Sequence, residues 1–379
     1  MNPPPRYPDY VMPATPRWRR WGMALLLLLG LQAALLLALW PEGRPRLELW
    51  LWGSLLPLAW ALALALRFLA WQVGLGNRAA YRWTLDAALQ RWWRRRGMAL
   101  PLQKVMLFGP PGESQPQYLQ QMTGKAMNPP PLERGEGQPP VLRCPVSANP
   151  GGLREPLLAR HLGRLLLASE GWMDAWPQLR GVAWYGSQDG YRAFAKALAD
   201  GGMSLPEEPL PLADLASLDR LIDDFAGRCP QEGDWLLCAG ASSTEQAPAQ
   251  QMAGEAAFAW RVGHQGASRL QRGEYLVLDK GESPAELCAQ MQRYGGLAKA
   301  PAACLAMDTQ SMEAFVAEGW SANEHLLAPY WGALGDLAPF IGMSMALLHS
   351  AGTGEPCGWL SGDGEDRLTM GMAVPYGDD

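Results

Sequence analysis

The cysteines and histidines of this 379-residue sequence are the first candidates for nucleophiles and metal ligands. The six cysteines include no CxxC pair, and the four histidines include no HxxxH or HExxH pair. Zinc sites and redox cysteines depend on such spacings, so the sequence predicts no metal site and cysteines that are reduced and buried. These residues are Cys144, Cys229, Cys238, Cys288, Cys304, Cys357, His161, His264, His325 and His349.

Two short motifs approach known functional loops without completing them. Residues 104–108 are strand-like and lead into GPPGES, but Ser114 and Gln115 stand where a phosphate-binding loop needs its last glycine and lysine. The GMSMA segment around Ser344 approaches the GxSxG of lipases, yet it lies inside an apolar helical run rather than after a strand. A proline-glycine turn and a packed helix serine are the simpler interpretations.

The segments that must position any site begin with two apolar runs. Residues 21–40 (WGMALLLLLGLQAALLLALW) carry no charge. At about 1.5 Å per residue they span roughly 30 Å, the thickness of a bilayer's hydrocarbon core. Residues 49–66 form a second run, which reaches Trp71 if Arg67 snorkels. The sequence therefore predicts a transmembrane hairpin over residues 21–71, in preference to a cleaved signal peptide or a buried core hairpin.

Arginines flank this hairpin at its two outer ends. Residues 1–97 contain 13 arginines and four acidic residues, and only Arg44 and Arg46 lie in the loop between the runs. By the positive-inside rule, both termini and the soluble domain face the cytoplasm. Residues 1–20 are then a mobile, proline-rich cytoplasmic tail, and residues 77–97 a basic amphipathic helix on the anionic leaflet.

The charge of the chain divides near the same point. Through residue 97 the net charge is +9, whereas the remaining 282 residues carry 19 basic and 33 acidic groups, a net charge of −14. Nucleic acid and anionic membrane surfaces repel such a region, so nucleic-acid binding is disfavoured. A protein partner or a small ligand is the better expectation.

The acidic region alternates strand-like and helix-like segments after a loop-rich start. Residues 98–151 are rich in proline and glycine, and residues 152–379 contain most of the alternation. Strands are predicted at 181–185, 235–240, 275–279 and 303–307, and helices at 157–167, 191–199 and 215–225. Such alternation predicts a layered α/β architecture.

In its order of segments this region resembles the thiolase and ketoacyl synthase superfamily. GDWLLCAGAS, from Gly233, is similar to the strand after the nucleophile helix, and RGEYLVLDKGESPAEL (272–287) is similar to the strand and helix start that come next. ACLAMDTQSMEAF stands where the first catalytic-histidine loop lies, and YWGALGDLAPFIGMSMALL (330–348) where the second lies. EDRLTMGMAV fits the last strand. The resemblance covers residues 176–374 and implies a thiolase-like α/β fold.

The catalytic residues of that superfamily are replaced. Its chemistry needs a cysteine thiolate at a helix N-terminus and two histidines, or a histidine and an asparagine, to hold the acyl oxygen and move protons. The nucleophile position falls at residues 212–214, where no cysteine stands, and Asp308 and Asp336 occupy the two histidine positions. The resemblance thus implies a degenerate site, and we expect no enzyme, no catalytic residue and no cofactor.

A degenerate thiolase-like fold behind an N-terminal segment is similar to the type VI lipase adapter proteins. The block NEHLLAPYWGALGDLAPFIG (323–342) and the many tryptophans carry this second resemblance. It implies a non-enzymatic adapter that binds a phospholipase effector in the cytoplasm and helps load it onto the type VI secretion spike. The hairpin would tether this adapter to the bacterial inner membrane, and a homodimer is allowed. The sequence does not identify the partner-binding surface.

Two alternatives keep the fold but change the function. A membrane-anchored acyltransferase or ketoacyl synthase-like enzyme would need its nucleophile elsewhere, and Cys229 and Cys238 are the candidates. A membrane-tethered sensor would instead keep the thiolase pocket apolar and bind an acyl ligand.

Overall fold

A computed structural model describes most of the chain. The described residues are 3–39, 45–113, 118, 130, 132–133, 140–146, 153–244, 251–320, 325–363 and 367–377. The chain divides into two compact units, Pro4–Trp93 and Arg94–Asp379 together with Met1–Pro3.

Helices and strands are numbered in chain order. The helices are α1 Trp18–Leu39, α2 Arg46–Arg96, α3 Arg154–Ala168, α4 Gln188–Asp200, α5 Leu215–Arg228, α6 Pro284–Tyr294, α7 Thr309–Phe315, α8 Ala328–Trp331 and α9 Ala338–Thr353. The strands are β1 Ala99–Phe108, β2 Leu132–Glu133, β3 Val141–Leu142, β4 Leu179–Tyr185, β5 Leu210–Pro211, β6 Trp235–Ser243, β7 Ala253–Gly263, β8 Ser268–Gln271, β9 Glu274–Val277, β10 Ala303–Ala306, β11 Cys357–Gly362 and β12 Arg367–Pro375.

Helices α1 and α2 correspond to the predicted hairpin. Both are long and apolar enough to cross a membrane. The end of the first predicted span and most of the loop, residues 40–44, lie outside the described residues. Helix α2 does not end after its apolar run but continues through Arg96. The basic residues 77–97, which we expected to form a separate helix on the leaflet, therefore belong almost entirely to the same helix as the second span.

The proline-rich tail is extended, as its composition predicts, but it packs along α2. The hydroxyl of Tyr81 donates to the carbonyl of Pro8 at 2.7 Å, and the rings of Tyr10 and Tyr81 are 5.7 Å apart. Arg67 donates to the carbonyl of Ala14. The expectation of a free tail failed because proline-rich segments leave backbone carbonyls unpaired, and tyrosine and arginine side chains of α2 supply the donors.

The second unit is built on a sheet of two similar halves. Its main path has the strand order β10-β11-β12-β8-β1-β7-β6-β4-β5, and antiparallel pairing of β1 with β8 joins the halves. In one half β4 and β6 are parallel and β7 is antiparallel to β6. In the other half β10 and β11 are parallel and β12 is antiparallel to β11. The same order of strand directions is thus used twice.

Helices α5 and α9 occupy corresponding places in the two halves. Helix α5 follows the short edge strand β5 and precedes β6, and α9 follows a parallel bridge between Ala306 and Leu326 and precedes β11. Both helices share one hydrophobic core with strands of both halves, whereas α3 and α4 pack in a second core on the other face of β4 and β6. This layered α/β arrangement confirms the predicted fold class.

Sequence patterns predict many of these elements but miss several strands, of which β7 and β11 are the longest. β4, β6, β9 and β10 and helices α3, α4 and α5 all overlap their predicted segments. We did not predict β7 or β11. β7 reads AGEAAFAWRVG, and alanine and glycine have low strand propensity, so its identity depends on its buried position between β1 and β6.

A glutamine side chain joins α1 and α2. Gln32 is 7% exposed on α1, and its side-chain amide donates to the carbonyl of Trp52 on α2 at 2.7 Å. Hydrogen bonds between helices in a membrane contribute about 0.6–2 kcal/mol each.

We expect Gln32→Leu to destabilise the hairpin by about 1 kcal/mol, because the amide donor is lost while the side-chain volume is nearly kept. Denaturation of the full chain in mixed micelles measures this change. Leu37→Val, at a side chain that is 87% exposed on α1, is the control and leaves stability nearly unchanged. An equal loss in both variants would contradict the role of the hydrogen bond.

Candidate functional site

The N-terminus of α5 lies where the superfamily resemblance locates the nucleophile. Asp214 is the N-cap residue, and its carboxylate accepts from the backbone N–H of Ser217 at 2.8 Å. The Ser217 hydroxyl in turn accepts from the N–H of Asp214 at 2.9 Å, which completes a capping box. The N–H of Leu215 donates to the hydroxyl of Tyr275 at 3.2 Å. A carboxylate and a phenol thus lie at the position that the resemblance assigns to the nucleophile.

The N-terminus of α9 presents the second acidic residue. Asp336 lies in a short turn, Gly335–Leu337, directly before α9. Gly335 has a φ of 57°, a left-handed conformation that glycine adopts without strain. Asp336 is exposed and lines a cavity, and its charge reaches Tyr185 on β4. Burial, and then Asp336, raise the pKa of Tyr185 above its usual range.

Asp308 ties the ends of two neighbouring strands together. It is the N-cap residue of α7, where one carboxylate oxygen accepts from the N–H of Ser311 at 2.7 Å. The other oxygen accepts from the N–H of Gly362, at the end of β11, at 2.6 Å. Both oxygens therefore accept hydrogen bonds from backbone donors, and Asp308 has a structural role in the wall of the cavity.

One cavity contains both predicted positions. It has a volume of about 650 Å³, and Asp308 and Asp336 line it. Apolar side chains make up much of its wall, while Ser361 and Gln310 add polar groups. The apolar residues include Met252, Met307, Leu334, Ala333 and Ala338. The structure thus brings together the two aspartates that the sequence pointed to, beside a space that suits a small apolar ligand.

Asp363 and Tyr275 are close enough to the acidic residues of the site to interact with their charges, and the sequence analysis did not predict either residue. Asp363 pairs with Arg367 at 2.7 Å, and Arg367 lies 5.0 Å from the centre of the Tyr275 ring. Burial raises the pKa of Asp363, and the charges of Asp336 and Asp214 add to this effect although Arg367 opposes it. Burial, with Asp363 and Asp214, also raises the pKa of Tyr275 to about 12. The acidic residues that precede β12 in the sequence were the only sequence signal for Asp363.

The cysteine candidates lie elsewhere. Cys229 is at the C-terminal end of α5, where the helix dipole disfavours a thiolate, and burial raises its pKa to about 11. Cys238 is buried inside β6, and burial raises the pKa of its thiol above the usual range. Neither thiol reaches a helix N-terminus, so the two cysteines proposed as replacement nucleophiles are not part of the site.

The other motifs are structural. Ser344 is buried inside α9, where its hydroxyl donates to the carbonyl of Phe340 and accepts from the indole N–H of Trp260, each at 2.7 Å. Gly109 and Gly112 form a closed turn after β1, and Ser114 and Gln115 lie outside the described residues. Within the described ranges, no group of three or more His, Cys, Asp or Glu residues could hold a metal ion.

Comparison with known proteins gives the fold. No family model and no curated protein sequence matches the chain. Among solved structures, the ishigamide ketosynthase/chain length factor superposes with a TM-score of 0.52 at 15% identity, over 74% of this chain and all of that one. The acyltransferase ChlB3 has a TM-score of 0.47 at 12% identity, over 73% of this chain and 98% of that one. OleA of Xanthomonas campestris has a TM-score of 0.45 at 11% identity, over 73% and 98%. The chain therefore has a thiolase-like, ketosynthase-type fold.

These comparisons contradict the prediction that the chain is not an enzyme. The solved structure that superposes with a TM-score of 0.52 is that of the ishigamide ketosynthase/chain length factor. Our inference equated one covalent mechanism with all uses of the fold. Asp336, Asp363 and Tyr275 are groups in or near the cavity that can exchange protons.

The raised pKa of Asp363 predicts that Asp363→Asn stabilises the protein at pH 7. Its folded pKa lies above the usual 3.8, so ionisation disfavours the folded state at neutral pH, and this cost disappears as the pH falls below that value. We expect the melting temperature of the full chain in detergent to rise by about 2 °C at pH 7 and to be unchanged near pH 3.

The matched control has the opposite sign. Arg95, through a hydrogen bond, and then Arg272 lower the pKa of Asp223, so Asp223→Asn should lower the melting temperature at pH 7. A loss of stability at pH 7 in Asp363→Asn as well would contradict the assigned environment of Asp363.

Proposed function

We propose that the chain is a membrane-anchored enzyme that transfers an acyl group directly to an acceptor, with carboxyl groups as base and acid and without a cysteine nucleophile. The observation that carries this proposal is the cavity of about 650 Å³ that joins apolar walls to Asp336 at the N-terminus of α9. The ketosynthase-type fold supports it, because the cavity lies beside the positions that the superfamily resemblance assigned to catalysis.

The apolar part of the cavity suits the acyl chain. Met252, Met307 and Leu334 offer apolar surface, and burying each methylene there contributes about 0.8 kcal/mol. Asp214, Asp308, Asp336 and Asp363 make the surroundings acidic, so a carrier rich in phosphate is repelled. An uncharged acyl thioester therefore fits better than a highly charged one.

The carboxyl groups suit a direct transfer. Asp336 takes the proton of an acceptor hydroxyl as its oxygen attacks the thioester carbonyl, and the carbon–sulfur bond breaks. The departing sulfur takes a proton from Asp363, because the raised pKa of this carboxyl increases the fraction of it that is protonated at a given pH. An ester and a free thiol result, and no acyl group becomes attached to the protein. Two carboxyl groups in unlike environments can thus divide the roles of base and acid.

Thiol release from an N-acetylcysteamine thioester of a fatty acid, with water as acceptor, tests this proposal on the full chain in detergent. Asp336→Asn should lower the rate about 100-fold because the general base is lost. Ala338→Phe, which puts a ring into the cavity, should weaken substrate binding about tenfold or more.

Two substitutions serve as controls. Asp224→Asn changes an exposed carboxylate on α5, and Ala351→Phe changes an exposed alanine near the other end of α9. Both should keep the rate of the wild type. No thiol release by the wild type, or an acyl group found on a cysteine, would contradict the proposed mechanism.

We also propose that α1 and α2 anchor the chain in the bacterial inner membrane with the second unit in the cytoplasm. The length and apolar character of both helices support the anchor, and the arginines at the outer ends of the hairpin support the orientation.

A C-terminal alkaline phosphatase fusion to the full chain should therefore be inactive in bacterial cells, because that enzyme matures only outside the cytoplasm. A C-terminal green fluorescent protein fusion is the matched control and should fluoresce. Strong phosphatase activity together with a dark fluorescent fusion would reverse the assigned orientation.

The narrower resemblance to type VI lipase adapters gives a second proposal, a role in binding a phospholipase effector and a secretion spike protein. The net charge of −14 after residue 97 supports it, since such a surface can attract a basic partner.

Pull-down with the full chain in detergent should capture a phospholipase effector and the spike protein of a type VI system, with affinity that falls as salt rises. An unrelated membrane protein of equal net charge is the control. Capture of neither protein by the folded chain, or equal capture by the control, would remove this proposal.

A further inference from the structure

A buried polar network joins the end of α2 to the elements of the candidate site. Arg96, the last residue of α2, is 9% exposed and donates to Asp219 of α5 at 2.7 Å and to Glu274 of β9. Tyr294 of α6 donates from its hydroxyl to Glu274 at 2.8 Å and accepts from Gln290 at 2.6 Å. We call Arg96, Asp219, Glu274, Gln290 and Tyr294 the Arg96 network.

Arg272 reinforces the same junction. It is 1% exposed and donates to the carbonyl of Arg95 at 3.2 Å and to the carbonyl of Asp219 at 3.1 Å. It also pairs with Asp223 of α5. The carbonyl of Arg95 is one of the last of α2 and also accepts from the N–H of Met98 at 3.3 Å, so Arg272 supplies a second donor to this helix end. These contacts fix the end of α2 against α5.

On β9 and on α5, residues of the Arg96 network are close in sequence to residues of the candidate site. Glu274 precedes Tyr275, whose hydroxyl accepts from the N–H of Leu215 at the start of α5. Asp219 follows Asp214 by little more than one turn of α5. The relative position of β9 and α5 therefore decides whether the Tyr275 hydroxyl stays on the helix N-terminus beside Asp214 and Asp363.

We propose that Arg96 is a positioning residue for the candidate site: through Glu274 and Asp219 it holds β9 against α5, and so keeps the Tyr275 hydroxyl on the N–H of Leu215. Its consequence for acyl transfer rests on the proposed function, but the positioning itself can be measured without substrate. A guanidinium suits this task because one planar group can donate to the carboxylates of Asp219 and Glu274 at the same time.

Hydrogen exchange of the full chain in detergent tests the positioning. Arg96→Met should speed exchange in the segment from residue 212 to residue 218, because the Leu215 amide loses its acceptor, and Arg96→Lys should restore part of the protection. The control is Arg180→Met, which breaks a 2.6 Å pair with buried Asp234 at the opposite end of the strands and should leave the segment unchanged. Unchanged exchange in folded Arg96→Met would overturn the proposal.

A double-mutant cycle separates positioning from general destabilisation. If Arg96 acts through Tyr275, Arg96→Met should slow thiol release about tenfold in the wild-type background and less than about twofold in a Tyr275→Phe background. If the rate loss in the double variant equals the product of the losses in Arg96→Met and Tyr275→Phe, Arg96 acts by another route and the proposal is overturned.

Two outcomes need a second variant or measurement. If Arg96→Met does not fold, Asp219→Asn replaces it, because Asp219 is partly exposed and its loss leaves Glu274 to pair with Arg96. Unchanged exchange in folded Asp219→Asn would then overturn the proposal. If the wild type releases no thiol, the proposed function fails, while exchange in residues 212–218 still decides the role of Arg96.

Discussion

Helix α9 is apolar on nearly every side, so other parts of the second unit must pack around it on every side. Residues 339–350 are all buried. Phe258 of β7, from one half of the sheet, stacks on Phe340 with ring centroids 5.5 Å apart. Trp359 of β11, from the other half, packs against Gly342. The two halves must therefore face each other across α9 and α5, and this arrangement brings the N-termini of both helices to one region.

That arrangement explains why the candidate site survives the loss of its expected residues. Its location depends on the two helix N-termini and the strand ends beside them, none of which requires a cysteine or a histidine. Asp214 and Asp336 occupy corresponding places in the two halves, and the charges of both residues raise the pKa of Asp363. Carboxylates are favoured near helix N-termini, so the acidic residues are compatible with the same backbone that would lower the pKa of a thiol.

The sequence could predict what depends on local pattern. Apolar periodicity identified α3 to α5 and the two membrane helices, and the order of segments identified the fold. β7 was missed because its alanines form a strand only between two others, and the packing of the tail on α2 was missed because it depends on distant donors such as Tyr81. Asp308 and Asp336 could be located by alignment with a known fold. Asp363 and Tyr275 could not, since only pairing of β9 with β12 brings them together.

The proposed function requires an acyl chain to lie in the cavity beside Asp336, and photo-crosslinking can locate that chain. The full chain in detergent is irradiated with a fatty acyl thioester that carries a diazirine near its end, and labelled peptides are identified by mass spectrometry. We expect labels on the peptides that contain Met252, Met307 and Leu334, and we expect these labels to be lost in Ala338→Phe. Labels confined to α1 and the apolar part of α2, unchanged in Ala338→Phe, would contradict the proposed function.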